Sequence, residues 1–450
     1  MTEQATARDQ WASRIGFIMA CAGSAIGLGN IWRFPYLCGM NGGALFVLTY
    51  VAVVVFLGIP LMVAEFAMGR SSQRSPVEAY RILSGGGRFW LGVGALGVLA
   101  SFIMLSYYSV VAGWTMHYIV LSLRGFGAAG SPEAVGGIFE GVLQSSKINL
   151  FWHTMFIAVT MFIVLGGVKG GLEKANKIMM PALFIMMFVL LARAFFLPGW
   201  VPGLKFMFWP DPSKFTPLTA LSAMGQAFFS LSLGMGAMLT YGSYLPKDTD
   251  IVKSSCLVSI MDTSIALMAA CVIFPILFTF GMEPQAGPGL VFKSMPIVFS
   301  QMPGGMLFAV IFFSLLLFAA LTSSISMLEV VTAYLMDTWG WSRAKATWIP
   351  GLVIFLCGVP SALSGGVLSG WHVLGQRNFF DSMDYLVSNW MLTLGGLFMC
   401  IFVGFRMSPE TVRREFGENT PFTRLFVPWL YVIRYLCPVM VAAILIYNIK

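Results

Sequence analysis

Three stretches hold residue types that an ordinary membrane helix avoids. Residues 23–30 read GSAIGLGN, residues 230–236 read SLSLGMG, and residues 318–327 read FAALTSSISM. In the first, Gly23, Gly27 and Gly29 are followed closely by Asn30 and Arg33. A glycine costs ~1 kcal/mol relative to alanine in a helix and lets the backbone leave helical geometry. An unwound segment frees carbonyls for a cation and amides for an anion, and half-helix ends add dipoles of the right sign. Glycines also serve close helix packing, but a packing face needs neither Asn30 nor Arg33. In the second stretch Ser230 and Ser232 diverge by about 200° on an intact helix. On an extended break they can converge on one ligand; serines that bond back to helix carbonyls are the alternative. In the third, Ala319, Thr322, Ser323 and Ser326 recur at i, i+3, i+4 and i+7. That stripe supplies hard oxygen ligands for a small alkali ion, or else a small-residue packing face.

Carboxylates at membrane depth come next, because they are costly there and usually functional. Asp262 follows the basic residue Lys253 by nine positions, which is ~13 Å of helix and close to mid-membrane. Its alternative is a protonated, buried carboxyl. Glu65 in LMVAEFAMGR is expected to make a structural hydrogen bond to a broken helix. Glu329, Asp337 and Asp381 fall near span ends, where headgroup-level solvation competes with function. Tyr107 and Tyr108 sit deep in SYYSVVAGW, and a deep tyrosine hydroxyl needs a partner.

The elements that position these residues follow from composition. Of 450 residues, 58% are hydrophobic and 10% charged, against about 25% charged in a soluble domain. The apolar runs are helix length rather than barrel-strand length, so the class is an all-α polytopic membrane protein. Spans are expected at about 15–38, 44–69, 90–123, 150–166, 175–197, 217–243, 254–282, 304–337, 346–366, 380–405 and 425–447. The loop 124–149 reads as a mobile surface segment. Within 283–303, the apolar piece 290–300 reads as a short re-entrant or surface helix. The N-terminus MTEQATARDQ has no cleavable signal pattern. The cysteines lack metal spacing.

Basic residues set the orientation. With the N-terminus in the cytoplasm, Arg70, Arg74, Arg81, Arg88, Lys169, Lys174, Lys177, Arg343, Arg413 and Arg414 all fall inside. Eleven spans then put the C-terminus outside. The net charge of +8 is thus a topology signal and calls for no nucleic-acid partner; the lipid bilayer is the partner. The breaks in spans 1 and 6 lie five spans apart. An odd offset turns two like units opposite ways, the pattern of an inverted-repeat transporter with its site at the breaks.

At these residues the chain resembles the neurotransmitter:sodium symporter family, of the LeuT type. The carriers are WASRIGFIMACAGSAIGLGNIWRFPYLCGMNGG, GIPLMVAEFAMGR, KANKIMMPALF, GQAFFSLSLGMGAMLTYGSYLPKD and FAALTSSISM. They cover nearly the whole chain and are specific together, although one glycine motif alone is weak. The resemblance implies one transporter domain over 1–450. It has two inverted five-helix repeats, helices 1–5 (about 11–200) and 6–10 (about 215–406), plus an eleventh helix at about 425–447. Eleven spans against the family's usual twelve resembles the shorter bacterial members, including the multi-hydrophobic amino acid transporters. The implied location is a bacterial cytoplasmic (inner) membrane.

The resemblance also implies roles. One sodium ion would sit on the carbonyls of Gly23, Ile26 and Ala319 and the hydroxyls of Thr322 and Ser323. The other would use Ala25, Asn30, Ser230 and Asp262, completed by the substrate carboxylate. Family members often have Asn where this chain has Asp262, and some bind chloride there; the position that supplies Glu in certain bacterial members looks like Ala266. Asp262 already fixes a negative charge, so chloride is not expected. The substrate carboxylate would meet the amides of Leu28 and Gly29 and the Tyr108 hydroxyl. Its ammonium would meet the carbonyls of Ala25, Phe229 and Ser230 and the Ser232 side chain. Met104, Phe229, Met235, Ser326 and Met327 would form the side-chain pocket, and Ser323 would also be among the substrate-binding residues. Monoamine carriers of the family place an Asp at the position of Gly27. Its absence, with three adaptable methionines, points to a hydrophobic amino acid such as Leu, Met or an aromatic one. Arg33 would pair with Asp384 as an outer gate over a lid of Tyr108 and Phe229. Arg8 would pair with Asp337 inside, beside Trp11, Ser243 and Tyr244. Glu329, where the family usually shows Gln, would be an extra carboxylate able to couple to protons.

The expected function is sodium-coupled import by alternating access, with no bond made or broken. A cation channel and a non-transporting amino-acid sensor on the same helical core are the rivals. An intramembrane enzyme built on Asp262, His117, His153 and His372 lacks any paired catalytic motif.

Overall fold

The structure, a computed structural model, describes residues 9–126, 131–283, 288–417 and 420–449. Among the described residues, nine helices are long and apolar enough to cross a membrane. They are Ala44–Ser72, Arg88–Arg124, Ser146–Leu165, Val168–Phe195, Ile251–Thr279, Gly305–Trp339, Arg343–Leu363, Phe379–Arg406 and Thr423–Asn448. These are spans 2–5 and 7–11. Span 1 is two helices, Arg14–Ala25 and Gly29–Met40, bent by 52° at their junction. Span 6 is Pro217–Ser230 and Ala237–Gly242, joined by a non-helical turn. Both glycine-rich breaks therefore fall where the glycine and serine runs place them.

Local sequence explains the ends. Ser13 accepts from the Gly16 amide at the start of span 1. Thr216 caps span 6 with Pro217 in its first turn. Asp250 accepts from the Lys253 amide, and Ser342 from that of Lys345. Each fills an orphan amide of a helix start.

Two boundaries depart from expectation. Span 5 begins at Val168 rather than 175, because VKGGLE forms a wide helical turn. Its polar, glycine-rich composition reads as loop; Glu173, which accepts from the Ala12 amide (2.7 Å) and the Ser13 hydroxyl (2.8 Å), ties it to span 1. The segment 124–149 is not simply a surface loop. It contains the helix Pro132–Gln144, which packs on the short outer helices Leu290–Ser294 and Met295–Gln301. Those two occupy the place of the expected short helix at 290–300.

The first half of span 1 packs against spans 5, 7 and 8. The break in span 6 is held by Glu65 of span 2, fully within the protein. Its carboxylate accepts from the amides of Gly234 (2.8 Å) and Leu239 (3.1 Å), the structural hydrogen bond expected of it. Gly234 has φ +81°, and a Cβ there would lie 2.2 Å from the Leu392 carbonyl, so only glycine fits. Glu65→Leu strands both amides. At 1–3 kcal/mol each, the variant is expected to lose roughly 2–6 kcal/mol, read as a clear drop in the thermal midpoint in detergent. An unchanged midpoint would show that the turn closes without this carboxylate.

Candidate functional site

The two breaks face one buried cavity of about 20 Å³, room for about one water. All the expected substrate residues line it except Ser326: Ala25, Leu28 and Gly29 from span 1, Met104 and Tyr108 from span 3, Phe229, Ser230, Ser232 and Met235 from span 6, and Ser323 and Met327 from span 8. Ser326 stands behind the wall, accepting from the hydroxyl of Ser24 at 2.7 Å. Ser24, Gly27 and Asn30 complete the lining. Sequence reasoning missed Ser24; its place inside the glycine motif was the available signal. A larger groove of about 640 Å³ lies between spans 3, 8 and 9. Its lining, including Leu96, Leu99, Phe102 and Trp339, is almost wholly apolar and holds no charged residue.

At the amide end, Leu28 N–H donates to the Tyr108 hydroxyl at 3.4 Å. Gly27 leaves little room: a Cβ there would come 2.7 Å from Ser323 Oγ, which would have to turn aside. Ser232 has φ +54°, and its hydroxyl donates to the Ser24 carbonyl at 2.8 Å. It therefore ties span 6 to span 1 in this arrangement instead of pointing free into the cavity.

Asp262 is 0% exposed and is ringed by neutral groups. It accepts from Asn30 Nδ2 (2.7 Å), the Ser230 hydroxyl (2.8 Å) and the Tyr50 hydroxyl (3.1 Å). Among the described residues no Lys, Arg or His lies within ion-pair distance of it. Asn30, Ser230 and Asp262 are thus brought together beside Ala25. Asn30 Oδ1 accepts from the Gly27 amide at 3.0 Å, which leaves that oxygen a second lone pair for a cation. Tyr50 was missed; an isolated tyrosine in an apolar run carries no local signal.

The other oxygen set also assembles. Ser323 Oγ lies 3.5 Å from the Gly23 carbonyl and 3.2 Å from that of Ala319. Thr322 Oγ1 donates to Ala319 at 3.0 Å. Ile26 is the first extended residue of the break, with ψ 101°. Such groups are hard oxygens of the kind small cations take.

Of the two expected gate pairs, one is not in direct contact here and the other includes a residue that is not described. Arg33 and Asp384 do not form an ion pair within 4 Å. The Arg33 guanidinium sits 4.6 Å over the Phe229 ring, a cation–π contact. Asp384 accepts instead from the hydroxyls of Tyr107 (3.1 Å) and Ser388 (2.9 Å). Arg8 lies outside the described residues, so its pairing with Asp337 is not described. Asp337 accepts from the Ser75 amide at 2.6 Å and lies 3.7 Å from Arg74.

Spans 8 and 9 are joined by a pair that charge counting missed. Glu329 is 0% exposed and takes both terminal nitrogens of Arg343 at 2.9 Å. The Tyr244 hydroxyl donates to Glu329 at 2.6 Å. Trp11 donates to the Tyr241 carbonyl at 3.0 Å and stacks edge-on near Tyr244. Arg343 also reaches Asp9 at 3.4 Å. Sequence reasoning counted Arg343 only as a cytoplasmic charge.

The comparisons with known proteins agree with this geometry. The model of the sodium:neurotransmitter symporter family matches residues 8–127 and 134–450. A Bacillus subtilis (strain 168) protein described as the uncharacterized sodium-dependent transporter YhdH is 40% identical, over 96% of each chain. An uncharacterized sodium-dependent transporter of Haemophilus influenzae is 35% identical over the full length of both. Among solved structures, MhsT in complex with L-phenylalanine aligns with a TM-score of 0.90 at 40% identity, covering 98% of this chain and 100% of that one. Paired helix breaks around a buried, partly polar cavity, a family match over nearly the whole length and this structural likeness agree: the chain belongs to the sodium:neurotransmitter symporter family, a multi-pass membrane transporter of LeuT-type fold and not an enzyme.

Proposed function

We propose that this protein imports hydrophobic amino acids by alternating access, driven by two sodium ions and without chloride. One observation carries the reading. The cavity between the breaks is lined both by polar residues, among them Tyr108 on the Leu28 amide and Asn30 and Ser230 on Asp262, and by the apolar side chains of Met104, Met235 and Met327. A zwitterion with an apolar side chain matches both kinds of lining. L-Phenylalanine bound to the structural neighbour supports the class. The buried Asp262, with no cationic partner among its described neighbours, is balanced by a sodium ion on transport. The chain is then one transport domain of two inverted repeats, about 11–200 and 215–406, with the N-terminus cytoplasmic and the C-terminus outside in a bacterial inner membrane.

The experiment is uptake of labelled amino acids into proteoliposomes with an inward sodium gradient, with all twenty amino acids as competitors. Sodium-dependent uptake inhibited by leucine, methionine or aromatic amino acids is expected. Saturable binding without any flux would favour the sensor, and single-channel currents the channel. Gly27→Ala should reduce substrate affinity at least about tenfold, since its methyl must displace Ser323 Oγ or the Tyr108 hydroxyl and overpacking costs ~1–3 kcal/mol. Wild-type affinity in that variant would mean that the substrate binds away from the break.

A further inference from the structure

Span 5 aims a polar side chain at the Gly23 end of the site, and the symport reading leaves it without a task. Asn176 is 0% exposed. Its Nδ2 donates to the Leu172 carbonyl at 2.8 Å, yet its Oδ1 is buried with no hydrogen-bond partner among the described residues. The orientation is fixed by that donation, because the flipped amide would set oxygen against the Leu172 oxygen. An orphaned buried acceptor costs ~1–3 kcal/mol, so its persistence calls for a reason.

Its surroundings supply one. A Cβ built on Gly23 would lie 2.2 Å from Asn176 Oδ1 and 3.0 Å from Thr322 Cβ. The missing side chain of Gly23 is therefore the space the amide oxygen fills, and the same spot touches Thr322. Gly23 and Thr322 both belong to the second oxygen set. One turn earlier on span 5, toward the cytoplasmic end, Glu173 occupies the equivalent space at Gly16, where a Cβ would lie 2.1 Å from its carboxylate. Two glycines of span 1, two turns apart, thus seat two oxygen-bearing side chains of span 5.

We propose that Asn176 Oδ1 is an accessory oxygen of the sodium site formed by Gly23, Ile26, Ala319, Thr322 and Ser323, meeting the ion on its cytoplasmic side. An amide oxygen is a hard, neutral ligand suited to sodium. It lowers the cost of moving the ion off the Gly23 carbonyl without holding it as a charge would. The proposal rests on the sodium-symport reading.

The test is equilibrium binding of radioactive sodium to the purified full-length protein at alkaline pH, for wild type, Asn176→Asp and Asn176→Leu. The aspartate adds a charge at the ion and should lower half-saturating sodium about tenfold. The leucine removes the oxygen and should raise it about threefold. Shifts in the same direction, or neither reaching about twofold, would overturn the proposal while leaving symport intact. Should the leucine variant fail to fold, the aspartate decides: tighter sodium binding supports the proposal, unchanged or weaker binding overturns it. A wild type that binds no sodium would remove the symport reading itself, and this inference with it.

Discussion

Asp262→Asn is expected to cut sodium-driven uptake at least about 100-fold in chloride-free medium, with partial recovery when chloride is supplied. Two unit charges 4 Å apart interact by ~4 kcal/mol at an effective dielectric of 20, which is close to a thousandfold in binding. The neutral ligands Asn30 and Ser230 stay in place, so about 100-fold is the floor. The amide also turns a donor toward Ser230 and Tyr50, which now both donate to the carboxylate. Family members with Asn here include some that bind chloride, and the ring of Tyr50, Ser230 and Asn30 hydrogen donors is the place an anion would restore the lost charge. Uptake in gluconate against chloride, for wild type and variant, is the measurement. Wild-type uptake by the variant in gluconate would show that Asp262 carries no part of the ion's charge balance.

Arg343→Ala is expected to lower uptake more than about tenfold and to leave the cytoplasmic side open. It strands Glu329, whose side chain is wholly buried. Breaking a buried ion pair by removing one partner costs about 3–5 kcal/mol; the lower end is expected here, because Arg343 keeps 15% exposure. The penalty falls on the closed inner face alone, since opening hydrates the carboxylate. Glu329→Gln should cost less, as the guanidinium it leaves is partly exposed and still reaches Asp9, and the double variant should resemble Glu329→Gln rather than Arg343→Ala. Uptake together with cysteine accessibility from the cytoplasmic side reads this out. A double variant worse than Arg343→Ala would mean that the two residues act separately.

The parts of this architecture that are periodic or punctuated were legible. Apolar run length set the spans within a few residues, except where VKGGLE forms a helical turn whose Glu173 bonds to Ala12 and Ser13 far away in sequence. The breaks at Ile26 and at 231–236 were legible because glycine and serine mark them at matching places. The substrate cavity was legible for the same reason, as its walls are those motifs and their partners on spans 3 and 8. What stayed hidden depends on distant pairing. Tyr50 meets Asp262 across 212 positions, and Asn176 reaches Gly23 through space that a missing Cβ leaves. Arg343 turns inward to Glu329 although its neighbours on the same stretch are solvent-facing. The outer gate shows the converse. Arg33 and Asp384 are both where the motifs put them, but Phe229, Tyr107 and Ser388 take their interactions here.

The central claim is that sodium and an amino-acid carboxylate complete one another at Asp262. Its most direct measurement is equilibrium binding of labelled L-phenylalanine or L-leucine to the purified protein, with sodium and with potassium, in chloride-free buffer. The account predicts saturable binding whose affinity rises steeply with sodium and falls by at least about tenfold when potassium replaces it. Equal affinity in the two salts would contradict it.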